Sequence, residues 1–176
     1  MSVLSELDPQ VVWKHFDALP TIPRASGNEA AARQYILDQA KKLGLESKVD
    51  DAGNVVVRKP AHKGRENAVP TLLQGHLDMV CEKNEGTPHD FAKDPIKVVR
   101  RDAWLYADGT TLGSDNGVGV AASLAVMESS DIAHGPLEFV YTIDEETGLT
   151  GATQFGKDML RSKYFLNLDN EEKGTL

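Results

Sequence analysis

Hydrophobic and polar positions along this chain change period several times, and each change marks an element. In "DPQVVWKHFDAL", Val12, Phe16 and Leu19 fall near helical spacing, with Asp8 placed to cap and Pro9 suited to the first helical position. In "SGNEAAARQYILDQAKKLGL", Ala31, Tyr35, Leu37 and Ala40 form a second helical stripe, capped by Ser26 or Asn28. Gly44 follows Lys41 and Lys42, as expected at a helix C-terminus. "ESKVDDAGNVVVRKP" reads as a hairpin turning at "DAGN", its second arm rich in β-branched residues. "AVPTLLQGHLD" and "PLEFVYTI" read as buried strands, "IKVVRRDAWLYA" as two short strands around Arg101 and Asp102, and "KYFLNLD" as a last strand. "NGVGVAASLAVMESS" is a small-residue helix suited to close packing on a sheet, and "TGLTGATQFGKDML" is read as mostly helical. This alternation predicts an α/β fold, a mixed, mostly parallel sheet with helices on both faces.

Composition narrows the partners. The 176 residues suit one domain of ordinary size, and a hydrophobic fraction of 40% is normal for a globular chain. A formal net charge of −8 argues against nucleic acid, whose phosphates need clustered Lys and Arg. The basic stretch "RKPAHKGR", Arg58 to Arg65, is read as a solvated loop. The single cysteine, Cys81, excludes an internal disulfide and fits a reducing, cytoplasmic compartment. "MSVLSELDPQ" lacks the apolar core of a signal peptide, and no apolar stretch is long enough to cross a bilayer, so no membrane partner is expected.

Three strands end in acidic or histidine residues: "QGHLD", "YTIDEE" and "FLNLDNEE". Ligands of open α/β sheets bind beyond the carboxyl ends of the strands, so these residues are candidates for one site. His76 and Asp78 lie two apart and face the same side of an extended segment. Asp78 has two open roles, orienting the ring of a ligand histidine or binding metal itself. On spacing alone, a strand-capping histidine beside an exposed aspartate is the plainer reading. The adjacent carboxylates Asp144, Glu145 and Glu146 repel one another unless solvent or a cation screens them, and after a buried strand a cation is favoured over a solvated loop. One glutamate of such a pair can bind metal while its neighbour activates water. "DGTTLGSDNGVGVAA" sets Asp115 among glycines, either as a ligand loop or as a flexible cap of the next helix. "GVGVAA" also fits the dinucleotide-binding glycine pattern, but "GTTLGSDN" precedes it where an apolar strand should. Cys81 is read as a small half-buried residue rather than a nucleophile. His76, Asp115, Glu145, Glu146 and Asp169 together offer nitrogen and oxygen donors suited to zinc, with manganese or cobalt as substitutes.

In order along the chain, "LLQGHLDMV", "HDFAKDPI", "DGTTLGSDNGVGVA", "HGPLEFVYTIDEETGLTGA" and "NLDNEEKG" resemble the M20 metallopeptidases, and within them the aminoacyl-histidine (Xaa-His) dipeptidases. The resemblance runs from near Leu7 to Leu176. It implies two metal ions, zinc in the family, with His76 as the first ligand and Asp78 orienting its ring. It implies Asp115 as the bridging ligand, Glu146 on one ion, Asp169 on the other and Glu145 as general base. A cis peptide bond between Asp115 and Asn116, with the Asp115 carboxylate turned toward His76 and Asp169, is implied as well. The implied substrates are dipeptides with a C-terminal histidine. Residues 1–176 would then form the N-terminal part of the catalytic domain. A last ligand histidine, the rest of that domain and a lid through which members form homodimers would lie outside the chain. His89 and His134 do not match that last ligand. The alternative is a non-catalytic fold fragment that binds one metal ion or a partner.

Overall fold

The computed structural model describes residues 2–170; Glu171 and Glu172 of "NLDNEE" lie outside them. Helices α1 (Gln10–Ala18) and α2 (Ala30–Lys42) precede strands β1 (Glu46–Val49), β2 (Val55–Lys59) and β3 (Thr71–His76). A separate antiparallel ribbon, β4 (Val98–Arg101) with β5 (Trp104–Ala107), leads to α3 (Ser114–Glu128). Strand β6 (Leu137–Thr142), the short helix α4 (Thr150–Thr153) and strand β7 (Tyr164–Asn167) complete the order.

The main sheet has the order β1-β2-β6-β3-β7. Strands β6, β3 and β7 run parallel, while β2 is antiparallel to both β1 and β6. The mixed sheet therefore follows the expectation, and it places the C-terminal ends of β6, β3 and β7 side by side.

Alternation along the strands divides the core. Val55, Val57, Leu137, Phe139 and Tyr141 pack on one face against Phe16 of α1, Ala32, Ile36 and Ala40 of α2, and Val120, Leu124 and Met127 of α3. Val56, Leu72 and Val140 point to the other face, met by Phe155 and Met159. The second face is thus covered by α4 and a 3₁₀ turn at Lys157–Met159, far less helix than the first. "TGLTGATQFGKDML" forms only these short pieces although Leu149, Ala152, Phe155 and Met159 are helix-spaced, because Leu149 takes φ +56° and Gly148, Gly151 and Gly156 weaken helix propagation.

Local chemistry corrects several expectations. Pro9 is itself the residue before α1, and no side chain caps that helix, so Asp8 does not fill the role. Glu29, not Ser26 or Asn28, precedes α2. The buried stripe of α2 is Ala32, Ile36 and Ala40, while Ala31 is exposed. Its C-terminus matches expectation: Gly44 has φ +67° and the Leu45 N–H donates to Ala40 O at 2.9 Å, a Schellman closure. The hairpin turn is fixed by Asp50, whose carboxylate accepts from the N–H groups of Gly53 and Asn54 at 2.9 and 2.8 Å. Asn54, fully buried, then reaches across the sheet end, accepting from Ile143 N at 3.1 Å and donating to Gly151 O at 2.8 Å. Of the basic stretch, residues 62–65 are exposed. Arg58 is not: it lies across from Glu138 in the β2–β6 register, 3.0 Å from its carboxylate.

Glu138 holds the approach to β7. One oxygen accepts from the N–H groups of Arg161 and Ser162, both at 2.8 Å, and the other takes the Arg58 guanidinium. Burial alone would raise its pKa, but these donors outweigh it and hold the group below its ordinary 4.5. Glu138→Ala should therefore cost about 1–3 kcal/mol, because it takes the acceptor from the N–H groups of Arg161 and Ser162 and leaves Arg58 to Glu46 and the Met159 carbonyl. A folded-state pKa below the unfolded value means that this stabilisation is whole above pH 4.5 and is lost as the pH falls through the folded pKa. Urea unfolding at pH 7 and pH 3 checks both statements: the variant's deficit should shrink in acid.

Candidate metal and catalytic site

The site is built where β3, β6 and the segment after β7 end together. His76 closes β3 opposite Thr142 of β6. Its ring is fully buried. Nδ1 lies 3.2 Å from Asp78 Oδ1, and Nε2 lies 2.9 Å from Asp115 Oδ1, 3.6 Å from Asp169 Oδ1 and 4.0 Å from Glu145 Oε2. The sequence-predicted residues are therefore brought together. His76, Asp115 and Glu146 offer donor atoms within 4.8 Å of one another, and so do His76, Glu145 and Asp169. The neighbours Glu145 and Glu146 thus serve different groups.

Asp78 is the anchor. It is fully buried, yet every donor it meets is well placed. Besides His76 it accepts from Ser26 Oγ at 2.7 Å and from the backbone N–H groups of Glu145 and Glu146, both at 3.1 Å. Burial pushes its pKa up, but the hydrogen bonds from His76, Ser26 and the two amides prevail and hold it far below the usual carboxylate range. An acceptor-only carboxylate on Nδ1 requires that nitrogen to donate, which leaves Nε2 to face the outer carboxylates. With a carboxylate on each side, the metal-free ring carries both protons. Burial works against this charge, but hydrogen bonds to Asp78 and Asp115 lift the His76 pKa to about 9.

Around that imidazolium the acids crowd one another. Asp169 is raised by burial and by Asp115, against the pull of His76; Glu146 is raised by burial and by Asp115 and Glu145. Anionic oxygens converging on one imidazole nitrogen form a nitrogen–oxygen donor set that fits a divalent cation.

The loop that carries Asp115 is held from below. The Asp115–Asn116 peptide bond is cis, as the resemblance implies, and Gly113 before it has φ +71°. Asp115 and Asn116 depart from helical geometry at the start of α3. Arg24, almost wholly buried, donates through Nη1 to Leu77 O at 3.0 Å and to Asp78 O at 2.9 Å, and through Nη2 to Gly113 O. A side chain at Gly113 would strike Arg24 and Met79. Arg24 therefore clamps the β3 end to the Asp115 loop, and burial lowers its pKa to about 10 despite the nearby carboxylates.

Sequence reasoning missed Arg24 and gave Ser26 the wrong task, a helix cap rather than a donor to Asp78. Both lie in "IPRASGN", where nothing periodic marks them. The glycines of "GVGVAA" make room for the protein's own side chains. A side chain at Gly117 would crowd Arg24 and Phe16, and one at Gly119 would crowd Asn116 and Leu168 O. Cys81 is half-buried, its thiol 3.6 Å from Met79 O. His134 packs near His62 and His89 near Phe91, and neither belongs to the donor groups. Among the described residues, no helix is long and apolar enough to cross a membrane.

A buried histidine held by Asp78, with carboxylates of the Asp115 loop, the turn after β6 and the segment after β7 around its Nε2, makes a donor set that could hold a divalent cation. The sequence comparison agrees: residues 72–176 match the model of peptidase family M20/M25/M40, and the chain belongs to that family. Over its whole length it is 44% identical to the cytosol non-specific dipeptidase of Escherichia coli, of which it spans 36%. The aminoacylhistidine dipeptidase structure from Vibrio alginolyticus superposes with a TM-score of 0.95 at 46% identity, over 98% of this chain and 35% of that one. The aminopeptidase PepT structure from Bacillus cereus gives 0.78 at 26% identity, over 93% of this chain and 44% of that one. The chain thus spans about a third to under a half of these relatives.

Asp78→Asn should lower the His76 pKa from about 9 toward or below its ordinary value, since it removes the anion while leaving the ring buried. The His76 ring proton shifts of the metal-free chain, followed by NMR from pH 5 to 10, check this. The raised folded pKa also fixes a stability window: the stabilisation is complete below 6.5 and is lost as the pH rises through about 9. The variant should lack most of that alkaline loss.

Proposed function

We propose that this chain carries the metal-binding and proton-accepting part of an M20 dipeptidase that hydrolyses dipeptides, Xaa-His among them, in the cytosol. The observation that carries the reading is His76: Asp78 fixes Nδ1, and Nε2 faces carboxylates from three separate segments. The names of the E. coli and Vibrio relatives support the dipeptide substrate, and the first also supports the compartment. Both extend far beyond the matched part. That supports a division in which residues 1–176 are the N-terminal part of the catalytic domain and the lid, the dimer contacts and a further ligand come from elsewhere.

In this reading His76, Asp115 and Asp169 would hold one ion, and Glu146, with Asp115 shared between the two sites, would hold the other. Zinc fits the donors best, with manganese or cobalt as substitutes. Bound ions would supply Lewis acidity that acidifies water and polarises a carbonyl. Glu145 would be the proton acceptor. Its side chain is about a third exposed, open to substrate and yet within 4.0 Å of His76 Nε2. Its backbone N–H is tied to Asp78, so the carboxylate is aimed by the same anchor that aims the histidine. Asp78 keeps its charge throughout and touches no substrate. Asp115, half exposed, faces both the solvent side and the buried ring.

Two outcomes test the roles. Because His76 offers only Nε2, it serves one ion. The 176-residue chain, saturated with Zn2+ and desalted, should keep no more than one tightly held ion by elemental analysis. Two retained ions would contradict the need for an outside ligand. In the full protein that carries this sequence, Glu145→Gln should slow Xaa-His hydrolysis by roughly a hundredfold or more while metal content stays unchanged. Loss of metal in that variant would make Glu145 a ligand instead of the base, and unchanged turnover would remove it from the chemistry.

A further inference from the structure

We infer that Asn116 is the positioning residue for Asp169, and that the two glycines at positions 75 and 119 are there to admit its carboxamide. The inference rests on the metal-site reading above and adds a residue to it. Asn116 follows the proposed bridging aspartate but turns the other way. Its residue is 4% exposed, against 55% for the Asp115 side chain. Through Nδ2 it donates to Leu168 O at 2.9 Å and to Asp169 Oδ1 at 2.8 Å. Both partners accept only, so the amide must present its NH2 group to them; the flipped amide would set oxygen against oxygen.

The amide oxygen is buried and has no hydrogen-bond partner among the described residues. It points into the space between β3 and α3. The position where a Gly75 side chain would begin is filled by Asn116 Oδ1, and the same oxygen lies 2.6 Å from that position at Gly119. A buried acceptor without a partner is unfavourable, so its presence calls for a compensating task done by the other end of the group. That task is visible in the chain path. Strand β7 ends at Asn167, and Leu168 N still bonds Gln74 O at 2.8 Å, but Asp169 lies past the ladder. Its N–H donates to Asn167 Oδ1 at 2.9 Å. The Asp169 side chain reaches toward His76 among carboxylates that repel it, and its Oδ1 is the same atom that lies 3.6 Å from His76 Nε2. A neutral donor on that oxygen fixes its direction without neutralising the charge a cation needs. Partners in this outer position typically contribute 10–100-fold to metal affinity.

The test is Co2+ binding to the 176-residue chain by calorimetry and by the visible Co2+ spectrum, with thermal unfolding of each metal-free variant alongside. Asn116→Ala should weaken Co2+ by roughly 10–100-fold. Asn116→Asp keeps the shape, replaces the donor with a like charge, and should weaken it at least as much even if the alanine variant unfolds. Asp169→Ala should also weaken Co2+. Asn116→Ala added to Asp169→Ala should cost little more, because the two act as a unit. A purely structural Asn116 would lower thermal stability and give additive losses, which overturns the inference. It is also overturned if folded Asn116→Ala and Asn116→Asp bind Co2+ like the wild type while Asp169→Ala does not. If wild type and Asp169→Ala both fail to bind Co2+, the metal-site reading falls and this inference with it.

Discussion

The buried Asp78 carboxylate is the interaction on which the rest of the site depends. A fully buried anion is tolerated only when its oxygens are satisfied, and here four donors do so: the His76 ring, the Ser26 hydroxyl and two backbone amides. Those donors come from three segments: the end of β3, the turn before α2 and the turn after β6. One charge therefore fixes the histidine tautomer, the path of the acidic turn and the docking of the Ser26 segment. Removing it would leave several buried donors unmet at once, which is why the aspartate is a structural centre as well as a chemical one.

Other contacts extend that anchor outward. Arg24 links Leu77 and Asp78 to the Gly113 turn, and so joins the histidine strand to the Asp115 loop. Asn54 joins the β1–β2 hairpin to Ile143 and Gly151 on either side of the acidic turn. Glu138 holds the segment that returns to β7. The outer acids remain part-exposed while the parts that aim them are buried. Exposed groups remain free to exchange water for a cation or a substrate, and buried ones keep their geometry.

Much of the fold was legible because it is written in short-range periodicity. "NVVVR", "TLLQGH" and "LEFVYT" became β2, β3 and β6, and the acids collected after them proved neighbours because parallel strands end together. The thin second face was not legible. "TGLTGATQFGKDML" has a helix-spaced stripe but three glycines, and tertiary contacts of Phe155 and Met159 decide its course. Arg24, Ser26 and the amide of Asn116 were also hidden. Their partners lie 52 to 89 residues away, so no local pattern encodes them. Capping was misread at the two early helices for different reasons: Pro9 takes the position before α1, and at Ser26 a distant carboxylate takes the hydroxyl.

The order of strands has a kinetic consequence. The neighbours β6 and β3 are separated in sequence by the whole β4–β5 ribbon and α3, and the Glu145 amide meets Asp78 across 67 residues. Closing such long loops costs entropy before any contact repays it, and parallel pairing of this kind forms slowly. The hairpin β1–β2 and helix α2 are local and can appear early, but no two of the three acid-bearing strand ends can meet until the crossover through α3 has docked. The donor group around His76 therefore depends on long-range pairings, and it is complete only once β3, β6 and the segment after β7 lie side by side.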